Sequence, residues 1–289
     1  MTLPAWLDDL LWTYQTLIHS LGINGLLALA MYVVLACGQL SLGQAAFMGL
    51  GAYSGALLTM KAGLPFYLVL PASCVAPVAF ALIIGVPTLR LSGVYLAIAT
   101  IGLGEVLRSA YLNIDALGGA LGLNGIPERA ETWMIFALLA LSLTALVLVG
   151  RSRFGRAMEA MREDPTAAAA MGIDVARYHL AALVTSAVLA GIAGCLAAHQ
   201  SSFIGPNEYG FEPAVTILSF ALLGGIGNPF APIAGAWFLT LLPELMRDLP
   251  ELRLALNGII IVLAVLFLPH GLLGWRMRRT PEKLAGGAR

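Results

Sequence analysis

Charge is scarce in this chain of 289 residues: Asp, Glu, Lys and Arg make up 11% of it, against about 25% in a typical soluble globular protein. Lysine is almost missing. Lys61 follows Met60 and Lys283 follows Glu282, so the Gly-Lys pair of a phosphate-cradling P-loop does not occur and the chain is no ATPase. The three cysteines (Cys37, Cys74 and Cys195) are odd in number, far apart and set in apolar runs. That excludes a disulfide framework and reads them as small core residues. Basic and acidic residues balance to a net charge of zero, which gives nucleic acid no electrostatic footing. The four histidines (His19, His179, His199 and His270) lack metal-ligand spacing such as H-E-x-x-H and fall at the ends of apolar runs, where interfacial placement is expected.

What is present is apolar. Hydrophobic residues are 59% of the chain and mean hydropathy is +0.87, more than a soluble surface tolerates. A helix needs about 20 apolar residues to cross about 30 Å of hydrocarbon. Candidate spans are 17–37, 43–61, 66–88, 93–112, 131–150, 178–199, 213–228, 230–248 and 253–270. The reading is an all-α, polytopic membrane helical bundle of about nine spans (eight to ten), a single transmembrane domain over 1–289. The Gly-rich segments 43–61 and 213–228 are short enough to be broken or re-entrant. Gly51 with Gly55, and Ser186, Ala190 and Gly194, repeat small residues every four positions, which suits close helix packing in lipid. Pro229, Pro232 and Pro243 are expected to shape or kink their segments.

Basic residues orient the set. With the C-terminus inside, 11 of the 16 fall in cytoplasmic stretches: Arg90, five arginines between 151 and 177, and five basic residues in the tail 271–289. Lys61, Arg108, Arg129, Arg247 and Arg253 fall outside or near outer ends. Segments 113–130 and 200–212 then face outward, and an odd span count puts the N-terminus outside. The opening MTLPAWLDDLLW carries two Asp and no basic residue, the wrong charge for a signal peptide. It reads as a short amphipathic lead-in with Trp6 and Trp12 near a headgroup layer.

The one long polar stretch, 151–179, carries its own helix punctuation. Asp164 is a good N-cap, Pro165 suits the first helical position, Thr166–Met171 is mostly alanine, and Gly172 can end the helix. Asp174 can cap the next one. The expected result is a two-turn helix held between two membrane-entering helices, suited either to docking a soluble partner or to no more than closing a surface loop.

Polar positions inside the spans are few. Gln39, Ser41 and Gln44, with Gly38 and Gly43, interrupt the first two spans, and Gly225 and Gly227 interrupt a later one. Such breaks can line a cavity or transport path, or be tight packing and turns. Glu105 and Arg108 share a helical face. They are a pathway element or a mutual ion pair near the outer interface. Asp115, Glu128, Arg129 and Glu208 are the charges available on the outward loops for a docking partner.

Four stretches resemble one known family: GQLSLGQAAFMGLGAYSGALL (38–58), GVYLAIATIGLGEVLRS (93–109), GRAMEAMREDPTAAAAMGIDVARY (155–178) and LLGGIGNPFAPIAGA (222–236). They are similar to bacterial ABC importer permeases for branched-chain amino acids, the LivH/LivM family, nearer its LivM branch. The resemblance implies a non-catalytic, multi-pass inner-membrane permease working with a second homologous permease, two ABC ATPase subunits that bind ATP and Mg, and a periplasmic or extracellular solute-binding protein. It implies no cofactor on this chain. It also implies that 155–178 holds the coupling helix, with Arg162, Glu163, Asp164, Pro165, Ala167, Ala168 and Gly172 at the ATPase contact. The wider E-A-A-x-x-x-G pattern is met at Ala167, Ala168 and Gly172, with Thr166 in place of its Glu. Ala231 stands where the family often has Gly.

Two other functions compete. A self-contained secondary transporter or channel would want more intramembrane carboxylates than Glu105. An intramembrane protease would want a carboxylate in Gly225-Ile226-Gly227-Asn228 or a histidine near Ser41, and neither is there.

Overall fold

The computed structural model describes residues 5–88 and 91–245, with side chains from residue 14. The ninth expected span, 253–270, the tail 271–289, Arg90, His270 and the side chains of Trp6 and Trp12 lie outside the described residues. Eleven helices follow in order among the described residues: α1 (Ala5–Ala36), α2 (Gln44–Met60), α3 (Phe66–Ser73), α4 (Val75–Thr88), α5 (Val94–Asn113), α6 (Thr132–Arg151), α7 (Arg153–Glu163), α8 (Pro165–Ala170), α9 (Val175–Ser201), α10 (Phe211–Gly224) and α11 (Phe230–Leu245). Each of the eight expected spans in this range coincides with one helix or, for 66–88, with a pair. Among the described residues, four segments are long and apolar enough to cross a membrane by length and composition: Tyr14–Ala36, Phe66–Thr88, Thr132–Arg151 and Val175–Ser201.

Several expectations are corrected. The lead-in is continuous with the first span, since α1 runs unbroken from Ala5. Segment 43–61 is not broken either: α2 is one 17-residue helix. Its glycines serve packing, because a Cβ on Gly51 would meet Gly191 of α9 and one on Gly55 would meet the Cys195 sulfur. Segment 213–228 is a 14-residue helix ended by a turn. The span 66–88 is the interrupted one, with the break at Cys74. Pro77 has no N–H to offer the Ser73 carbonyl, and that carbonyl accepts the Ser54 hydroxyl of α2 at 3.0 Å instead. A two-residue antiparallel ladder, β1 (Leu123–Asn124) on β2 (Phe203–Ile204), departs from a purely helical chain.

The core lies where α1, α2 and α9 meet, with Leu26, Ala28, Leu29, Ala187, Ala190 and Ala193 fully shielded. Small residues set the α2–α9 approach: a Cβ on Gly194 would fall 1.9 Å from the Met48 carbonyl oxygen. Lipid supplies no hydrophobic drive between helices, so such close backbone contact is the main source of cohesion.

Two of the histidines, His199 and His19, are buried against other helices. His199 is fully buried, with Nδ1 donating to the Cys195 carbonyl at 2.8 Å and Nε2 2.7 Å from the Thr59 hydroxyl. His19 is buried too, 2.6 Å from the Thr132 hydroxyl. His199 has both ring nitrogens partnered, which offsets the cost of burying a polar ring.

Candidate functional site

The two ends of the bundle carry different chemistry. At one end sits the punctuated segment, and its local signals fold as read. The Asp164 carboxylate accepts the Thr166 and Ala167 N–H groups at 2.8 and 3.0 Å, an N-cap worth about 0.5–2 kcal/mol. Pro165 takes the first turn, Gly172 has φ +85° and Asp174 caps α9 through the Arg177 N–H.

Ahead of α8 lies a helix the sequence reading missed. In α7, Ala157, Met158 and Met161 are buried, Phe154 is half-buried and stacks on Tyr178 of α9 with ring centroids 4.6 Å apart, while Arg153, Arg156, Glu159 and Glu163 are exposed. The signal was there, since apolar residues at 154, 157, 158 and 161 trace one helical face. Ser152 caps this helix by accepting the Phe154 N–H at 3.1 Å.

Of the expected coupling residues, Glu163, Asp164, Pro165, Ala167 and Gly172 are exposed and Arg162 is half-buried. Ala168 differs: at 4% exposure it turns into the protein, so the exposed alanine surface is Ala167, Ala169 and Ala170.

The same end gathers both backbone breaks. Gly38, at φ +77°, lets the chain turn against α7, where a Cβ would lie 3.3 Å from the Arg162 Cα. Gln39, Ser41 and Gln44 follow, all buried. Gln44 donates to Ser186 at 3.3 Å, the Ser41 hydroxyl accepts the Gly43 N–H, and Thr100 of α5 accepts the Leu42 N–H at 2.9 Å. The side-chain amide oxygen of Gln39 is buried without a partner. These residues tie α1, α2, α5 and α9 together. The turn holding Gly225 and Gly227 joins them from another side: Arg162 Nη1 donates to the Ile226 carbonyl at 3.3 Å. A cavity of about 360 Å³ opens here between α1, α6, α7 and that turn, with Arg151, Glu159, Arg162 and Gly227 in its lining.

At the opposite end the two connecting loops form one platform. β1 pairs with β2, the Ile126 N–H reaches the Ser202 carbonyl at 3.2 Å and the Arg129 N–H reaches the His199 carbonyl at 3.3 Å. Asp115, Glu128, Arg129 and Glu208 are all exposed on it. Glu105 belongs to this end. It pairs with Arg108 at 2.8 Å and accepts the Phe211 N–H at 3.0 Å, capping α10 from another helix. Arg108 also donates to Asn207 at 2.8 Å. Burial pushes the Glu208 carboxyl up from its ordinary range, opposed by the Gly205 N–H. Beneath the platform, Tyr53 stacks on Tyr111 with centroids 4.3 Å apart, and both hydroxyls are buried without partners.

A bundle of long apolar helices with a capped helical arm at one end and a charged loop platform at the other has the architecture of a polytopic membrane protein. Residues 14–265 match the family described as the permease component of the branched-chain amino acid transport system, and the chain belongs to that family. It is similar to the high-affinity branched-chain amino acid transport system permease protein LivM of Escherichia coli K12, at 35% identity over 94% of this chain and 70% of that protein. It is also similar to the autoinducer 2 import system permease protein LsrC of Escherichia coli O9:H4, at 26% identity over 82% of this chain and 73% of that one. BraD of Pseudomonas aeruginosa, another branched-chain amino acid permease, is 29% identical over 54% of this chain and 52% of its own. No solved structure matches.

Proposed function

We propose that the chain is one permease subunit of an ATP-driven importer for branched-chain amino acids in the bacterial inner membrane. Two separate ATPase chains supply the energy, a second similar permease completes the membrane pore, and a solute-binding protein delivers the cargo. The α7–α8 end faces the cytoplasm and the loop platform faces outward, with Asp115, Glu128, Arg129 and Glu208 as docking charges. The solute class follows the relative with the higher identity and coverage.

The observation that carries this reading is the tether between Arg162 and Ile226. The exposed rod α8 is fused to α7 at Asp164, and α7 is bound to the turn between two membrane helices. A partner pulling on α8 therefore pulls on the bundle through a continuous connection. Ala167→Arg and Ala170→Arg keep helix propensity nearly unchanged and place a bulky charge on the exposed rod. Both variants should insert and accumulate, yet lose co-purification with the ATPase chains or solute-stimulated ATP hydrolysis. Normal ATPase binding and uptake in both would overturn the coupling role. Concentrative uptake by the purified chain alone would overturn the ATP-driven reading altogether.

A further inference from the structure

Between α1, α2, α10 and the turn Pro206–Tyr209 lies a second cavity of about 380 Å³, at the platform end. Its lining is divided. Leu27, Ile217 and Phe220 are buried apolar side chains forming one part, and Glu208 and Glu212 contribute carboxylates to the other. Asn207 also lines it and accepts a hydrogen bond from Arg108 at 2.8 Å, which sets a guanidinium one residue behind the wall.

The charges here are not balanced internally. Glu105 is already paired with Arg108. Neither Glu208 nor Glu212 takes part in an ion pair among the described residues. Both carboxylates are solvent-exposed at the rim of the cavity, where a cation in solution can reach them. Small-molecule sites combine apolar lining with a few placed polar groups in a volume of about 300–1,000 Å³. This cavity meets both conditions.

We infer that it is the site where the permease first receives its solute, an aliphatic compound with a primary ammonium group. The ammonium lies at Glu208 and Glu212, and the hydrocarbon part rests on Leu27, Ile217 and Phe220. The assignment rests on the importer reading and specifies where within it the solute enters.

The test uses Thr216→Cys, which lines the cavity, in the full chain expressed with its partner subunits. Spheroplasts washed free of periplasmic proteins are labelled with a membrane-impermeant thiol reagent, and the parent chain supplies the background. Leucine and 3-methylbutylamine, which keeps the ammonium but lacks the carboxylate, should slow labelling saturably, by about tenfold when ligand exceeds its dissociation constant about tenfold. The probe 4-methylpentanoate, which lacks the ammonium, should protect far less. Glu208→Gln and Glu212→Gln should each abolish protection by the amine. Met48→Cys is the second reporter if Thr216→Cys fails to accumulate. Equal protection by 4-methylpentanoate, or none by leucine, overturns the site. Protection only by added binding protein overturns it too, and assigns the cavity to docking. Co-purification of the ATPase chains is scored on the same cells. Its loss counts against the importer reading, whereas its retention without protection counts against the site alone.

Discussion

Gly51 of α2 and Gly191 of α9 face each other so closely that a Cβ on Gly51 would lie 2.2 Å from the Gly191 carbonyl oxygen. Backbone sits against backbone there, and no side-chain rotation can relieve an added methyl. Alanine is otherwise the better helix former by about 1 kcal/mol, so the sign of a Gly→Ala change depends on the space around it. Gly51→Ala should lower the thermal midpoint of the detergent-purified protein, since overpacking of this kind costs about 1–3 kcal/mol. Gly102→Ala on α5, where nothing lies within 4 Å, should leave the midpoint equal or slightly raised. Equal midpoints for the two variants would mean that the α2–α9 crossing is looser than described.

Glu105 uses both carboxylate oxygens, one on the Phe211 N–H and one on Arg108. These two contacts hold α10 against α5. Glu105→Ala should destabilise the protein more than Glu105→Gln, which retains one acceptor. Arg108→Ala added to Glu105→Ala should cost less than the sum of the two single losses, because the partners share one interaction. Strict additivity in thermal melts would count against the pair. Lost uptake with unchanged stability would place Glu105 on the solute path.

Local chemistry in this chain is legible and distant pairing is not. Asp164, Pro165, Gly172 and Asp174 act within a few residues of themselves, so their punctuation could be read directly and is found in place. The apolar runs of α1, α6 and α9 are equally plain. The burial of His199 depends on Thr59, 140 positions away, and the helix break at Cys74 is stabilised by Ser54 on a different helix. The turn of Ala168 into the body of the protein depends on the tertiary setting of α8, so an alanine tract alone could not mark which face stays exposed. α7 is legible too, in the stripe of Phe154, Ala157, Met158 and Met161 at helical spacing, set among charged residues on its other faces.

Orientation follows from the grouping of the two ends. Ala160 is exposed on α7, Asn207 is exposed on the opposite platform and Leu117 lies beside it, half-buried. The bias of basic residues places the first end in the cytoplasm. In intact cells, a membrane-impermeant thiol reagent should modify Asn207→Cys and Leu117→Cys but spare Ala160→Cys until the membrane is permeabilised. The reverse pattern would invert the proposed orientation and place the coupling arm outside.

Arg162 offers the sharpest separation between assembly and transmission. Its guanidinium reaches the Ile226 carbonyl at the turn between α10 and α11, while its backbone closes over Gly38 at the junction of α1 and α2. It therefore touches both backbone breaks at the α7 end without belonging to the exposed face of α8. Arg162→Gln removes the long reach and the charge but leaves the Asp164 cap and the alanine surface untouched. The variant should accumulate normally and co-purify with its ATPase chains. ATP hydrolysis should continue while solute uptake per ATP falls, because the arm no longer pulls on the turn. Arg162→Lys should not restore full coupling, since an ammonium lacks the planar fork that spans to a carbonyl at this distance. Loss of ATPase co-purification in Arg162→Gln would make the residue part of the docking surface. Normal uptake per ATP would show that force reaches the bundle by another route, with the connection from α8 directly into α9 as the remaining path.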